Sequence, residues 1–254
     1  MDWQEISGNW VLVPDRPIAI VHFLGGAFVA AAPQLTYRRL LEYLASQGYA
    51  IVATPFVNTF DHIEIAKSVL QSFDRALEIL QTRIIKKRYI PVYGMGHSMG
   101  CKLHLLIGSL FGVERAGNIL ISFNNFAARD AVPLVEQFSQ VFSVEFTPSP
   151  LETNKMISDR YQVRRNLLVK FDNDSIDQTY TLSELLKKRF PDMVTFQILK
   201  GSHATPIGQD FKWQTGDSFS PFDAIGQWMR QEIYRELQGL ETAIVRWLNP
   251  MGTR

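Results

Sequence analysis

The chain has 254 residues, 46% of them hydrophobic and 20% charged, with a formal net charge of +1. That balance excludes a broad electrostatic footprint for nucleic acid, and a chain of this length buries enough surface to fold without staples. The single cysteine, Cys101, excludes an intrachain disulfide and fits a reducing, cytoplasmic setting.

Met1-Asp2-Trp3-Gln4-Glu5 lacks the basic-then-apolar pattern of a secretory signal. No run of about 18 uncharged apolar residues marks a membrane span. Trp3–Ile6 and Asn9–Val13 flank Ser7-Gly8 and predict an opening hairpin. Ile18–Leu24 reads as a buried strand ending in Gly25-Gly26, and Pro33–Gln47 as a helix stopped by Gly48. Tyr49–Thr54 is the next strand. Asp61–Arg83 is an amphipathic helix with Ile65, Val69, Phe73, Leu77 and Leu80 on one face.

Tyr89–Tyr93 predicts a strand, Met99–Phe111 an apolar helix and Asn118–Phe123 another strand. Residues 124–160 break the rhythm. The strand Asn166–Phe171, a helix near Leu182–Arg189, the strand Val194–Leu199 and a helix over about Phe222–Leu248 follow. Apolar runs alternating with amphipathic stretches predict an α/β fold, a parallel sheet covered by helices on both faces. Nothing reads as a linker, so one domain over residues 1–254 is expected.

Gly94-Met95-Gly96-His97-Ser98-Met99-Gly100 sits between a strand and an apolar helix. Gly96-x-Ser98-x-Gly100 in that setting is the nucleophile-elbow pattern. The glycines let a strand and a helix close around a serine on a strained turn. The Met99 N–H, at a helix N-terminus, would serve a developing oxyanion. His97, His104 and Cys101 are read as packing residues.

With this motif the chain resembles the α/β-hydrolase superfamily over nearly its whole length. More narrowly, it is similar to a family of uncharacterised hydrolase-like proteins of cyanobacteria and plants. The stretches that carry this are GHSMGCKLH at 96–104, FTPSP at 146–150, NDSIDQ at 173–178 and DAIGQW at 223–228. The resemblance implies a mostly parallel α/β-hydrolase sheet with a short cap insertion. It also implies a triad in the chain order serine, acid, histidine.

Serine needs an imidazole to take its proton, and the imidazole needs an acid to fix its tautomer. His203, on the loop after Val194–Leu199, is the candidate base, because His104 is too near Ser98 on the same helix. Three aspartates follow Asn166–Phe171. The superfamily's spacing favours Asp174, with Ile176 two further on, while Asp172 and Asp177 read as turn or capping residues and remain alternatives. A second oxyanion donor is expected from Gly25-Gly26-Ala27-Phe28, from the N–H of Ala27 or Phe28.

The resemblance places a cap over the site at 124–160, and Phe126, Phe138, Phe142 and Phe146 within it are candidate walls of an apolar pocket, with completion of the core as the equal alternative. Arg129, Arg160, Arg164 and Arg165 read as solvated surface, with a head-group contact as the alternative. The run Arg83–Arg88 reads as a solvated helix end, with peripheral contact at an anionic membrane as the minority reading.

The expected activity is cleavage of a carboxylic ester of a small-molecule or lipid-like substrate, through an acyl-enzyme on Ser98. No metal or organic cofactor is required. Acyl transfer by the same triad, and a non-catalytic binding role on the same frame, are the alternatives.

Overall fold

The computed structural model describes residues 1–27, 29–126, 145–207 and 221–251, with the backbone alone over 221–233. The elements in chain order are β1 (Gln4–Ile6), β2 (Asn9–Leu12), β3 (Ala19–Leu24), α1 (Pro33–Thr36), α2 (Arg38–Ser46), β4 (Tyr49–Ala53) and α3 (His62–Ile79). Next come β5 (Val92–His97), α4 (Met99–Leu110), β6 (Gly117–Ile121), α5 (Pro150–Arg160), β7 (Asn166–Asn173), α6 (Thr179–Arg189), β8 (Val194–Ser202) and α7 (Pro221–Leu248).

One sheet holds eight strands in the order β1-β2-β4-β3-β5-β6-β7-β8. β1, β2 and β4 pair antiparallel, and every pair from β4–β3 onward is parallel. The α/β-hydrolase-type sheet expected from the sequence is therefore present.

Alternation along β3 shows how the layers form. Ala19, Val21 and Phe23 join a core with Leu40, Leu41 and Leu44 of α2 and Leu237, Leu240 and Ile244 of α7. Ile20 and Leu24 point the other way, toward groups that include α3 and α4 residues. Side chains on successive strand residues must face opposite sides, so a strand dry on both faces needs helices on both. Each fully buried leucine contributes about 1.5–3 kcal/mol relative to exposure.

The chain passes from β3 to β4 on one side and returns to β5 on the other. Strand order reverses between β3 and β5, which opens a crevice at their carboxyl ends.

Three expectations need correction. The helix expected over Pro33–Gln47 is two helices, interrupted at Tyr37, which has φ −110° and ψ 17°. The strand expected at Tyr89–Tyr93 begins at Val92 and runs to His97. Tyr89 is exposed, and Pro91 contributes only a carbonyl, accepting from the Ile20 N–H at 2.8 Å. The rhythm also resumes earlier than expected. Residues 150–160, assigned to the cap, form α5, which packs on α4 and buries Ile157 in the core. Ser149 and Glu152 close a capping box at its start, with Pro150 in the first turn. The remainder of the expected cap, 127–144, lies outside the described residues.

His22, His62, His97 and His104 are all buried. His22 stacks on Phe73 at 4.1 Å, and His104 Nε2 donates to the Met95 carbonyl at 3.1 Å. Burial is the largest cause holding all four neutral: His62, His97 and His104 fall from 6.5 to about 3, and His22 is lowered too. The unfolded chain binds these protons near pH 6.5 and the folded chain does not. Unfolding free energy should therefore fall as pH drops from 6.5 toward 3. The slope is about 1 kcal/mol per pH unit for each histidine. Urea titrations between about pH 7 and about pH 5 measure it, and His104→Gln should flatten it by one proton's share.

Candidate active site

Ser98 follows β5 and caps α4 with φ 55° and ψ −118°, a backbone region that costs a non-glycine residue about 1–3 kcal/mol. Its N–H donates to the Ile121 carbonyl at 2.9 Å, which ties the corner to β6. The flanking glycines have a steric cause. A Cβ on Gly100 would lie 2.0 Å from the Leu24 carbonyl oxygen, and one on Gly96 2.5 Å from the Cys101 nitrogen. The elbow thus closes only because neither residue has a side chain.

The register of β7 on β8 puts Asn173 opposite Ser202. The next residue on each strand is Asp174 and His203, so the two are neighbours by construction. His203 Nδ1 donates to Asp174 Oδ2 at 2.8 Å, and Asp174 Oδ1 accepts from the Ile176 N–H at 3.1 Å. Burial pushes the Asp174 carboxyl up, but the hydrogen bond and charge of His203 outweigh it and hold it below the usual range. The carboxylate is therefore ionised, and it holds a proton on His203 Nδ1, which leaves Nε2 as the ring nitrogen turned away from the acid.

The competing aspartates do other work. Asp172 pairs with Lys200 at 2.6 Å and accepts from the Gly201 N–H, which shapes the approach to His203. Asp177 pairs with Lys170 at 3.2 Å and accepts from the Thr179 N–H and hydroxyl at the start of α6.

Ser98 and His203 line one cavity of about 380 Å³, together with Ala27, Met99 and Phe126. Met99 opens α4, whose first N–H groups have no acceptor within the helix. Ala27 sits on the cavity wall, and Phe28 lies outside the described residues. So do Phe138 and Phe142, whereas Phe146 lines the cavity. Among the described head-group arginines none lines the cavity: Arg164 and Arg165 precede β7 at its far end, and Arg165 lies over the Trp247 ring, while Arg129 lies outside the described residues.

Two residues not assigned to the site support it: His97, read as structural, and Tyr37. His97 is sandwiched between the loops that build the site. Its Nε2–H donates to the His203 carbonyl at 2.9 Å, so Nδ1 must accept, and it does so from the Tyr37 hydroxyl at 2.8 Å. Tyr37 in turn accepts from the Gly26 N–H at 2.9 Å. This chain links the β3 loop, the elbow and the His203 loop, and it commits the Gly26 N–H. The break between α1 and α2 coincides with the residue that supplies the hydroxyl. No spacing rule marks Tyr37, though His97 beside the nucleophile was a visible signal. Cys101, as expected, is an inert buried residue: its thiol donates to the Gly96 and Ile121 carbonyls, and burial pushes its pKa up.

Residues 2–250 match the family described as "Protein of unknown function (DUF1350)". The chain belongs to that family. Comparison with curated proteins gives no match. Among solved structures, this DUF1350 protein is similar to the fluorophosphonate-binding serine hydrolase F of Staphylococcus aureus, with TM-score 0.56 and 14% identity over 90% of this chain and 91% of that one. It is also similar to the S-formylglutathione hydrolase of Staphylococcus aureus, with TM-score 0.55 and 15% identity over 90% and 92%. The esterase Pf2001 of Pyrococcus furiosus gives TM-score 0.54 and 14% identity over 90% and 85%. These likenesses show the α/β-hydrolase fold.

Tyr37→Phe in this DUF1350 protein would leave the Gly26 N–H and His97 Nδ1 without their partner. The expected cost is about 1–3 kcal/mol of stability, measured by urea denaturation.

Proposed function

We propose that this chain is a serine-dependent ester hydrolase in which Ser98 attacks, His203 moves the proton and Asp174 orients the imidazole. The observation that carries the reading is the Asp174–His203 pair, 2.8 Å apart, on the cavity that also holds the strained Ser98. An esterase and a fluorophosphonate-binding serine hydrolase among the structurally similar proteins support it.

In this reading His203 Nε2 takes the proton as the Ser98 Oγ bonds to the carbonyl carbon. The oxygen becomes an oxyanion facing the N–H groups of Met99 and Ala27. Collapse breaks the bond to the leaving alkoxide, which takes the proton from His203 and departs as an alcohol. Water then attacks the acyl-enzyme with His203 again as base, releasing the acid and the free Ser98 hydroxyl.

A cavity of about 380 Å³ is near the small end of ligand pockets. It suits a small ester better than a long-chain lipid. No described helix is long and apolar enough to cross a membrane. Among the described residues no cluster of three or more His, Cys, Asp or Glu fits a metal ion. The basic run at 83–88 lies before β5, at the end of the sheet away from Ser98, so membrane contact there would not present substrate to the site.

A fluorophosphonate probe should label the wild-type chain and leave Ser98→Ala unlabelled. Ser98→Ala and His203→Ala should each lower kcat/KM on p-nitrophenyl acetate by about 10³-fold or more. Folded wild-type protein that neither labels nor turns over the ester would overturn the proposal.

A further inference from the structure

One wall of the Ser98 cavity is polar in a way that ester cleavage does not use. Lys102 is the lone charged residue on the otherwise apolar α4, and it is 2% exposed. It lies four residues past Ser98, about 6 Å farther along the helix and on the same face. Among the described residues its ammonium donates one hydrogen bond, to the Pro148 carbonyl at 3.1 Å, and lies 5.7 Å from the centre of the Phe146 ring, whereas an ammonium has three donors. Burial is the main effect on Lys102 and pulls its pKa down to about 8, against the surface charge of Glu145, so it remains mostly charged near neutral pH.

His62 stands beside it at the start of α3, 3% exposed, its ring stacked on Phe146 at 4.4 Å. Among the described residues neither ring nitrogen of His62 has a hydrogen-bond partner. The side-chain oxygens of Asn58 and Asn125 are likewise buried without one. All four residues line the cavity that holds Ser98 and His203.

Buried polar atoms without partners are costly, and a native structure keeps few of them. The spare donors of Lys102 and the unmatched ring of His62 on one cavity match a ligand that supplies acceptors; the asparagine oxygens, acceptors themselves, cannot bind it. Lys102 beside a neutral imidazole, with the Glu145 carboxylate acting on it from the surface, balances at most one further negative charge, which favours a carboxylate over a phosphate dianion. Both Lys102 and His62 have an N–H to give it.

We infer that Lys102 and His62 form an acid-recognition subsite for a carboxylate at the non-scissile end of the acyl chain. The preferred substrates are then half-esters of short dicarboxylic acids. The scissile end of this assignment rests on the serine-hydrolase reading, whereas the carboxylate end does not.

The test compares the mono-p-nitrophenyl ester of glutarate with p-nitrophenyl pentanoate, which has the same acyl length without the acid. Wild-type protein should favour the glutarate ester in kcat/KM by at least about tenfold. Lys102→Met should collapse that ratio, and Lys102→Arg should retain part of it. A purely structural lysine would change stability or overall rate without changing the ratio. His62→Phe, made on a different element, reads the same ratio if Lys102→Met fails to fold.

Titration calorimetry of Ser98→Ala with monoethyl glutarate tests the subsite without turnover. Saturable binding there, lost in the Ser98→Ala, Lys102→Met double variant, supports it even if fluorophosphonate labelling fails and the hydrolase reading falls. Equal or better turnover of pentanoate by the wild type, or no binding of monoethyl glutarate to Ser98→Ala, would overturn it.

Discussion

The left-handed backbone at Ser98 is the constraint around which the rest of the site is arranged. A serine at φ 55° holds only where its surroundings overdetermine it. Here Gly96 and Gly100 let α4 press against the Leu24 carbonyl, and the Ser98 N–H is anchored to β6. Because the corner lies where strand order reverses between β3 and β5, its side chain faces the crevice that a doubly wound sheet opens at its carboxyl edge. Strain at one residue is thus held by three strands and a helix.

The acid and the base reach the same crevice by a different device. Neither Asp174 nor His203 lies near Ser98 in sequence, yet each is the first residue past the end of one of two paired strands. The β7–β8 register makes them adjacent, and the pairs at Asp172 and Asp177 fix the loops on either side. Electrostatics then favours one protonation state: an ionised Asp174 holding the Nδ1 proton of His203.

Much of this interior is polar without being charged. The Gly26–Tyr37–His97–His203 chain has every donor matched to an acceptor, which forces a single tautomer on His97 and couples three loops that carry the site. The His62 wall is the opposite case, with ring nitrogens buried and unmatched on the cavity surface. A satisfied network rigidifies, and an unsatisfied one on a cavity points to a missing partner. The same fold contains both, and both reach the cavity that holds Ser98.

Local chemistry made the fold class legible. The continuous apolar runs of the strands, the 3.6-residue stripe of α3 and the Gly96-x-Ser98-x-Gly100 spacing each depend on near neighbours, so one chain suffices to read them. The Ser149–Glu152 capping box was equally local and marked the start of α5 inside the supposed cap. Spacing likewise favoured Asp174 over Asp172 and Asp177, whereas the Tyr37 relay and the His62–Lys102 wall had no such marker apart from His97 beside the nucleophile and a charge on an apolar helix. They depend on which loops the sheet order and strand register bring together, and those contacts span 60 residues from Tyr37 to His97 and 106 from His97 to His203. Periodicity carries no information about a hydrogen bond made across that distance; only tertiary packing sets it.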